Sequence, residues 1–254
     1  MISLFNVEHF PYMTPYQFSS RIAYNDSYET TISRIITFQS TPNNAILTFI
    51  IPSINRASLK RTIQSIIGQT SSRWNAIIVF DACIPTDNEL LLLLSDPRFL
   101  WISIQRHGST DYPIHSAAGN VRNVGINIVC TPWIGFVDDD DTIAPQYIEK
   151  ILEEISITPD VQAISFRMIV ENTIVPHINC SYITDGQMGI SFAIKSSLIN
   201  DGIFFKQSDS EDFHFMKSIE HAKMKIVMSP YLIYYVNADI SDVSLTGACR
   251  SIIN

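Results

Sequence analysis

Four consecutive aspartates, Asp138 to Asp141, close the apolar run Trp133-Ile134-Gly135-Phe136-Val137. Neighbouring carboxylates repel one another, and burying a charge without a partner is costly. A solvated loop tolerates such a run, and that is the plainer reading. Following directly on a segment that reads as a buried strand, the run suits a hard divalent cation, which prefers carboxylate oxygens. Through that cation it also suits a phosphate-bearing ligand. A calcium loop fits less well, because the D-x-[DN]-x-[DN]-G pattern lacks its glycine and later glutamate here. Asp81 ends a second apolar run, and Glu211 and Asp212 lie in the acidic patch Asp209-Ser210-Glu211-Asp212. That patch reads either as a helix start, with Ser210 as cap and the acids in the first turn, or as catalytic. Both can hold together.

The elements that must position these acids follow a repeating pattern. Residues 46–51 are a continuous apolar run ended by Pro52, which suits a strand buried on both faces of a parallel sheet. Leu59, Ile63, Ile66 and Ile67 then mark one face of a helix with Lys60, Arg61 and Gln64 outside. Strands are predicted at 76–80 and 99–104, helices at 89–94 and 116–129, and a further strand feeds the aspartates. Pro145 opens a helix bearing Ile148, Ile151, Leu152 and Ile155 on one face. This β-α alternation implies a mostly parallel central sheet flanked by helices. Ligands of such sheets bind beyond the carboxyl ends of the strands, where Pro52, Ser53, Asp81 and Asp138–Asp141 all fall.

The second half is less regular. A strand is expected at 161–170 with a pairing partner at 173–178. An apolar stretch follows at 187–194, then a helix-sized 196–199, and then a helix with Phe213, Phe215, Met216 and Ile219 inward. Residues 1–44, with Pro11, Pro15 and Pro42 and no clear periodicity, read as an extension packed on the domain. Residues 45–254 read as one domain, with a nucleotide-binding half at about 45–141 and a smaller mixed acceptor half at about 142–254.

Composition bounds the partners. With 254 residues, 46% of them apolar and 17% charged, the chain can bury a large core. A net charge of −8 argues against a nucleic-acid polymer or an anionic membrane as the main partner. No apolar run reaches the ~18 residues that span a bilayer, and the start MISLFNVEHF does not read as a signal peptide. A cytoplasmic location is expected. Cys83, Cys130, Cys180 and Cys249 read as ordinary buried thiols of a reducing compartment. The six histidines show no zinc-type i, i+4 pair.

Three segments carry a resemblance. ILTFIIPSINRASLKRTIQSIIGQTSSRWNAIIVFDAC resembles the opening of family 2 glycosyltransferases, which share the GT-A fold. AAGNVRNVGINIVCTPWIGFVDDDDTIAPQYIEKIL is similar to that family's central A-R-N-x-G and D-x-D motifs. SDSEDFHFMKSIEHAKMKIVMSPYLIYYV resembles its E-D segment and the strand after it. The resemblance spans roughly residues 45 to 237. It implies an inverting, hexosyl-type transfer from a nucleotide diphosphate sugar, a UDP-sugar first, to an acceptor hydroxyl of a glycan, protein or lipid.

On that resemblance Asp138 and Asp140 match the D-x-D, with Asp140 the direct ligand of Mn²⁺ or Mg²⁺ and Asp138 and Asp139 beside the donor. Asp81 matches the acid that reads the base, Pro52, Ser53 and Arg56 fall where the first loop wraps the nucleoside, and Arg122 and Asn123 fall near base and diphosphate. Asp212, with Glu211 beside it, matches the general base. The chain departs from the family at Phe80-Asp81-Ala82-Cys83, where D-D-G-S is common, and at Ile54, where tyrosine is common. It lacks the Q-x-x-R-W motif of processive synthases, so polymerisation is not expected. Two rival readings are a non-catalytic relative that only binds, motivated by that altered base site, and a sugar-phosphate nucleotidyltransferase. The latter normally shows a G-x-G-x-R loop where this chain has IIPSINR.

Overall fold

The computed structural model describes residues 28–41, 44–105, 118–206 and 208–238. The sheet is built around β1 (Leu47–Ser53), every residue of which is buried. On one side lie β2 (Trp74–Asp81) and then β3 (Phe99–Ile104), and on the other β4 (Trp133–Phe136), all parallel to β1. Their largely apolar runs, rich in isoleucine and phenylalanine, are what burial on two faces demands. Helices α2 (Leu59–Ile67), α3 (Asn88–Leu93) and α4 (Ala118–Ile126) connect them. In α2 the buried residues are Leu59, Thr62, Ile63 and Ile66, the face expected from the sequence except that Thr62 joins it and Ile67 is only half-buried. Gly125 lets α4 lie close on the sheet: a Cβ there would stand 2.8 Å from Ile50 Cγ2.

Beyond β4 the sheet becomes mixed. β5 (Thr142–Ile143) precedes α5 (Tyr147–Ile157), followed by β6 (Ala163–Val170), β7 (Thr173–Val175) and β8 (Phe192–Lys195). Helix α6 (Glu211–His221) then leads to β9 (Ile226–Val236). Among the described residues the order is β3-β2-β1-β4-β8-β6-β9-β5, with β7 on β6. β8 runs antiparallel to both β4 and β6, and β6 and β9 are parallel. The α/β class and the mixed second half agree with the sequence, but 196–199 is a 3-10 turn rather than an α-helix.

The first 44 residues carry a helix that periodicity did not announce, α1 (Tyr28–Ser40). It buries Ile32, Ile35 and Phe38 and places the Arg34 guanidinium 4.2 Å from the Trp101 ring centre. No helix of the described residues is long and apolar enough to cross a membrane.

The strand order reverses at β1. From β1 the chain steps outward to β2 and β3, then crosses back to β4 on the other side. A crevice opens at such a switch point, beyond the carboxyl ends of the two inner strands. Pro52 helps to open it. β1 pairs with β4 only from Leu47 to Ile50, while its pairing with β2 continues to Ser53. Proline has no N–H to offer on the β4 side, and the ladder has already parted there.

Candidate active site

The acidic turn after β4 is held by three separate elements, and each aspartate has a different surrounding. Asp139 is buried, and its Oδ2 accepts from the Ser53 hydroxyl at 2.8 Å and the Ile54 N–H at 3.2 Å. Its Oδ1 and Asp140 Oδ2 both accept from Arg56 Nη1, at 3.1 and 2.5 Å. Asp141 is buried and accepts from the Asn237 N–H at 2.8 Å and from the Tyr234 hydroxyl. From α2, Arg61 Nη2 reaches the Asp140 carbonyl at 2.7 Å and the Thr62 hydroxyl the Asp141 carbonyl at 2.7 Å. Burial lifts the Asp139 carboxyl above its ordinary range, against the Ser53 hydrogen bond. It lifts Asp141 to about 7, with the Asp138 charge adding to the effect.

Asp138 faces a second centre, Arg122 on α4. The guanidinium is buried and contacts Glu211, Asp138 Oδ1 at 2.5 Å and, at 3.7 Å, Asp212 Oδ1. One cation therefore serves three carboxylates. Glu211 is tied down further by the Gly119 N–H, which donates to Oε2 at 2.8 Å. Gly119 is required at that spot, because a Cβ would sit 2.4 Å from the same oxygen. Among the described residues Asp212 Oδ1 has no hydrogen-bond donor. Burial raises its pKa to about 7, Arg122 opposes the rise, and the charges of Asp138 and Glu211 add to it. Burial also raises Glu211, again against Arg122. The Arg122 guanidinium is held charged by the same acids, in spite of burial.

The other wall lies at the ends of β1 and β2. Asp81 closes β2, and Ala82 and Asn55 both adopt the left-handed backbone region, with φ 55° and 63°. Asn55 Nδ2 donates to the Ile84 carbonyl at 3.1 Å, clipping the loop after β1 to the loop after β2. Cys83, where serine is common, is half-buried and directs its thiol to the Ser53 carbonyl at 3.8 Å. Burial, with the charges of Asp81 and Asp139, pushes that thiol up to about 11, so it stays neutral.

Ser53, Arg56, Asp139 and Asp140 thus form one cluster at the switch point and Arg122, Asp138, Glu211 and Asp212 a second, the two meeting in the chain at Asp138–Asp139, with Pro52 and Asp81 on the rim. Asn123 differs from expectation. Its amide donates to the Phe205 carbonyl at 2.9 Å and accepts the Phe205 N–H at 3.0 Å. Both ends of the side chain are committed to the loop before α6, a positioning contact within the protein. Ser210 stands at the N-cap of α6, but its hydroxyl makes no capping bond. Cys130 is exposed rather than buried; Cys249 lies outside the described residues.

Sequence reasoning missed Arg61, Thr62, Tyr234 and Gly119. In the sequence Arg61 reads as an outward-facing helix residue, and Tyr234 lies in the strand after the E-D segment. Only Gly119 had a local signal, a glycine one turn before Arg122 on a helix.

Comparison with known proteins bears on this geometry. The family model described as Glycosyl transferase family 2 matches residues 48–183. The chain is 32% identical over 113 residues to a putative colanic acid biosynthesis glycosyl transferase, WcaA, of Escherichia coli K12, covering 43% of this chain and 38% of that one. It is 27% identical over 108 residues to the succinoglycan biosynthesis protein ExoO of Rhizobium meliloti, covering 42% and 29%. The chain therefore spans about a third of these relatives. Among solved structures, S. aureus TarS 1–349 in complex with UDP-GlcNAc aligns with a TM-score of 0.59 at 17% identity, covering 79% of this chain and 61% of that one. A mannosyltransferase from Pyrobaculum calidifontis in complex with GDP-Man and Mn²⁺ aligns with a TM-score of 0.54 at 13% identity, covering 84% and 65%. The parallel half ending in an acidic turn, the mixed second half and the matched motifs lead to one assignment: the chain belongs to glycosyl transferase family 2 and has the GT-A type of fold.

Proposed function

We propose that the chain transfers a sugar from a nucleotide diphosphate sugar to an acceptor hydroxyl by a single inverting displacement, with Asp212 as general base. The observation that carries this reading is the half-buried Asp212 beside Arg122. Its Oδ1 faces Arg122 at 3.7 Å without a hydrogen-bond partner among the described residues, and burial raises its carboxyl to about 7. A base poised near the working pH transfers protons most effectively. Glu211 takes the shorter contact to Arg122 and the Gly119 N–H, which leaves Asp212 for the acceptor.

On the donor side the diphosphate leaving group needs its growing charge neutralised. The partly exposed carboxylates of Asp138 and Asp140 would hold Mn²⁺ or Mg²⁺, which supplies that neutralisation as a Lewis acid. Such ions are commonly held by one or two carboxylates with substrate phosphates completing the shell, so a two-carboxylate set fits. Asp81 offers an acceptor to a base N3–H, which supports a UDP-sugar. Ser53 and Ile54, fixed through Asp139, shape the nucleoside wall. That TarS was solved with UDP-GlcNAc and the mannosyltransferase with GDP-Man and Mn²⁺ supports a metal-bound nucleotide sugar in this fold.

The test is a thermal-shift panel of UDP, GDP and CDP with their sugars, each with Mn²⁺ and with chelator. A ligand at ~100 times its dissociation constant adds about 2.7 kcal/mol, which is easily seen. A rise for one nucleotide only with metal supports the reading and identifies the donor class. No rise with any nucleotide refutes it.

A further inference from the structure

Asp139 and Asp140 are adjacent in the chain but are held in different ways. Asp139 has two donors on Oδ2, from Ser53 and Ile54, that do not involve Arg56. It is a fixed strut between the first loop and the acidic turn. The Asp140 side chain is 26% exposed, and among the described residues its carboxylate meets one side chain, Arg56. The Arg56 side chain is 47% exposed. Its backbone is anchored by the neighbouring Asn55, whose amide is clipped to Ile84. The loop is therefore fixed, while the guanidinium lies on a long half-solvated stem.

We propose that Arg56 is an exchangeable counter-ion of Asp140. In the nucleotide-free protein it neutralises the carboxylate that the function proposed above assigns to the metal. When a nucleoside diphosphate enters, the guanidinium moves to the phosphate oxygens, which suit its planar fork, and a divalent cation takes its place at Asp140. The two cations cannot both occupy the same carboxylate oxygen, because they repel at contact distance. Nucleotide and metal therefore bind with positive coupling, and the coupling is reciprocal. Asp139 keeps its Ser53 and Ile54 bonds throughout, so the turn holds its shape while the charge on it changes hands.

The experiment follows the free Mn²⁺ signal by electron paramagnetic resonance as Mn²⁺ is titrated into the full chain, alone, with UDP and with GDP. It compares the wild type with Arg56→Gln and Arg56→Lys. In the wild type the better nucleotide is expected to tighten Mn²⁺ binding by about 10-fold or more, within the usual range of a coupling. Arg56→Gln is expected to bind Mn²⁺ alone about 10-fold more tightly than the wild type, with little further gain from nucleotide. Arg56→Lys falls between, since it keeps the charge but not the fork.

Nucleotide-free Mn²⁺ affinity in Arg56→Gln equal to or weaker than in the wild type would overturn the exchange, as would an undiminished coupling. Wild-type Mn²⁺ binding that ignores nucleotide overturns the exchange alone and leaves the metal assignment standing. Absence of Mn²⁺ binding with either nucleotide in every variant overturns both.

Discussion

Replacing Asp212 by asparagine should destroy turnover and at the same time stabilise the protein. Asp212 has an ordinary pKa of 3.8 and titrates at about 7 in the fold. Ionising it inside the protein is therefore harder than in the unfolded chain, and the gap corresponds to ~4 kcal/mol at about 1.4 kcal/mol for each tenfold change. The side chain keeps 24% of its exposure, so solvent relaxes part of that, leaving ~2 kcal/mol. The sign follows from linkage. The contribution of a raised carboxyl to stability is fully present below its unfolded value and is lost as pH climbs through about 7.

Asparagine removes that pH-dependent loss. Near pH 8, without metal or nucleotide, the variant should melt ~4–8 °C higher than the wild type, taking ~2–4 °C per kcal/mol for a chain of this size. The advantage should shrink toward zero as the pH is lowered to about 4. Turnover should fall by roughly 10²–10⁴-fold with nucleotide binding retained. Differential scanning calorimetry across pH, beside a donor-consumption assay, reads both. A variant that is no more stable near pH 8, or whose advantage does not depend on pH, would refute the account of a desolvated base.

Other substitutions test other parts of the network. Asp140→Ala should abolish metal-dependent nucleotide binding while melting within a few degrees of the wild type, since it removes one of several like charges; calorimetric titration with UDP and Mn²⁺ checks it. Arg122→Met strands Glu211, Asp138 and Asp212 without their shared cation. It should cost about 3–5 kcal/mol, as breaking a buried charge pair does, measured by urea unfolding at pH 8. Gly119→Ala puts a Cβ 2.4 Å from Glu211 Oε2 and 2.8 Å from Phe205 Cβ. The strain should outweigh the better helix propensity of alanine for a net loss of about 1–2 kcal/mol, and turnover should drop as Glu211 is displaced.

Much of the parallel half was legible because its signals are local. Buried parallel strands are continuous apolar runs, and the helices between them repeat at 3.6 residues, so residues 46–104 show their elements within short windows. Helix α1 escaped because its buried apolar positions are few, Ile32, Ile35 and Phe38, and follow an aromatic-rich stretch without rhythm. The antiparallel placement of β8 was equally hidden. Its four residues, Phe192 to Lys195, look the same whichever way they run, and their direction depends on the partners β4 and β6.

The site divides along the same line. By itself the sequence marked Asp81 and Asp138–Asp141 as acids past strand ends and Glu211 and Asp212 as acids at a helix start, because residue type, strand termination and motif order are properties of the chain read in one dimension. Tertiary structure alone decided how the charges are shared. It gave Asp139 to Ser53 and Ile54, Asp140 to Arg56, and Asp141 to Tyr234 and Asn237, and it turned Asn123 inward to Phe205. It also set one buried arginine among three acids from two distant segments. A carboxylate's partner and its pKa depend on distance and burial across the fold, and residues some 90 positions apart have no local pattern that announces their meeting.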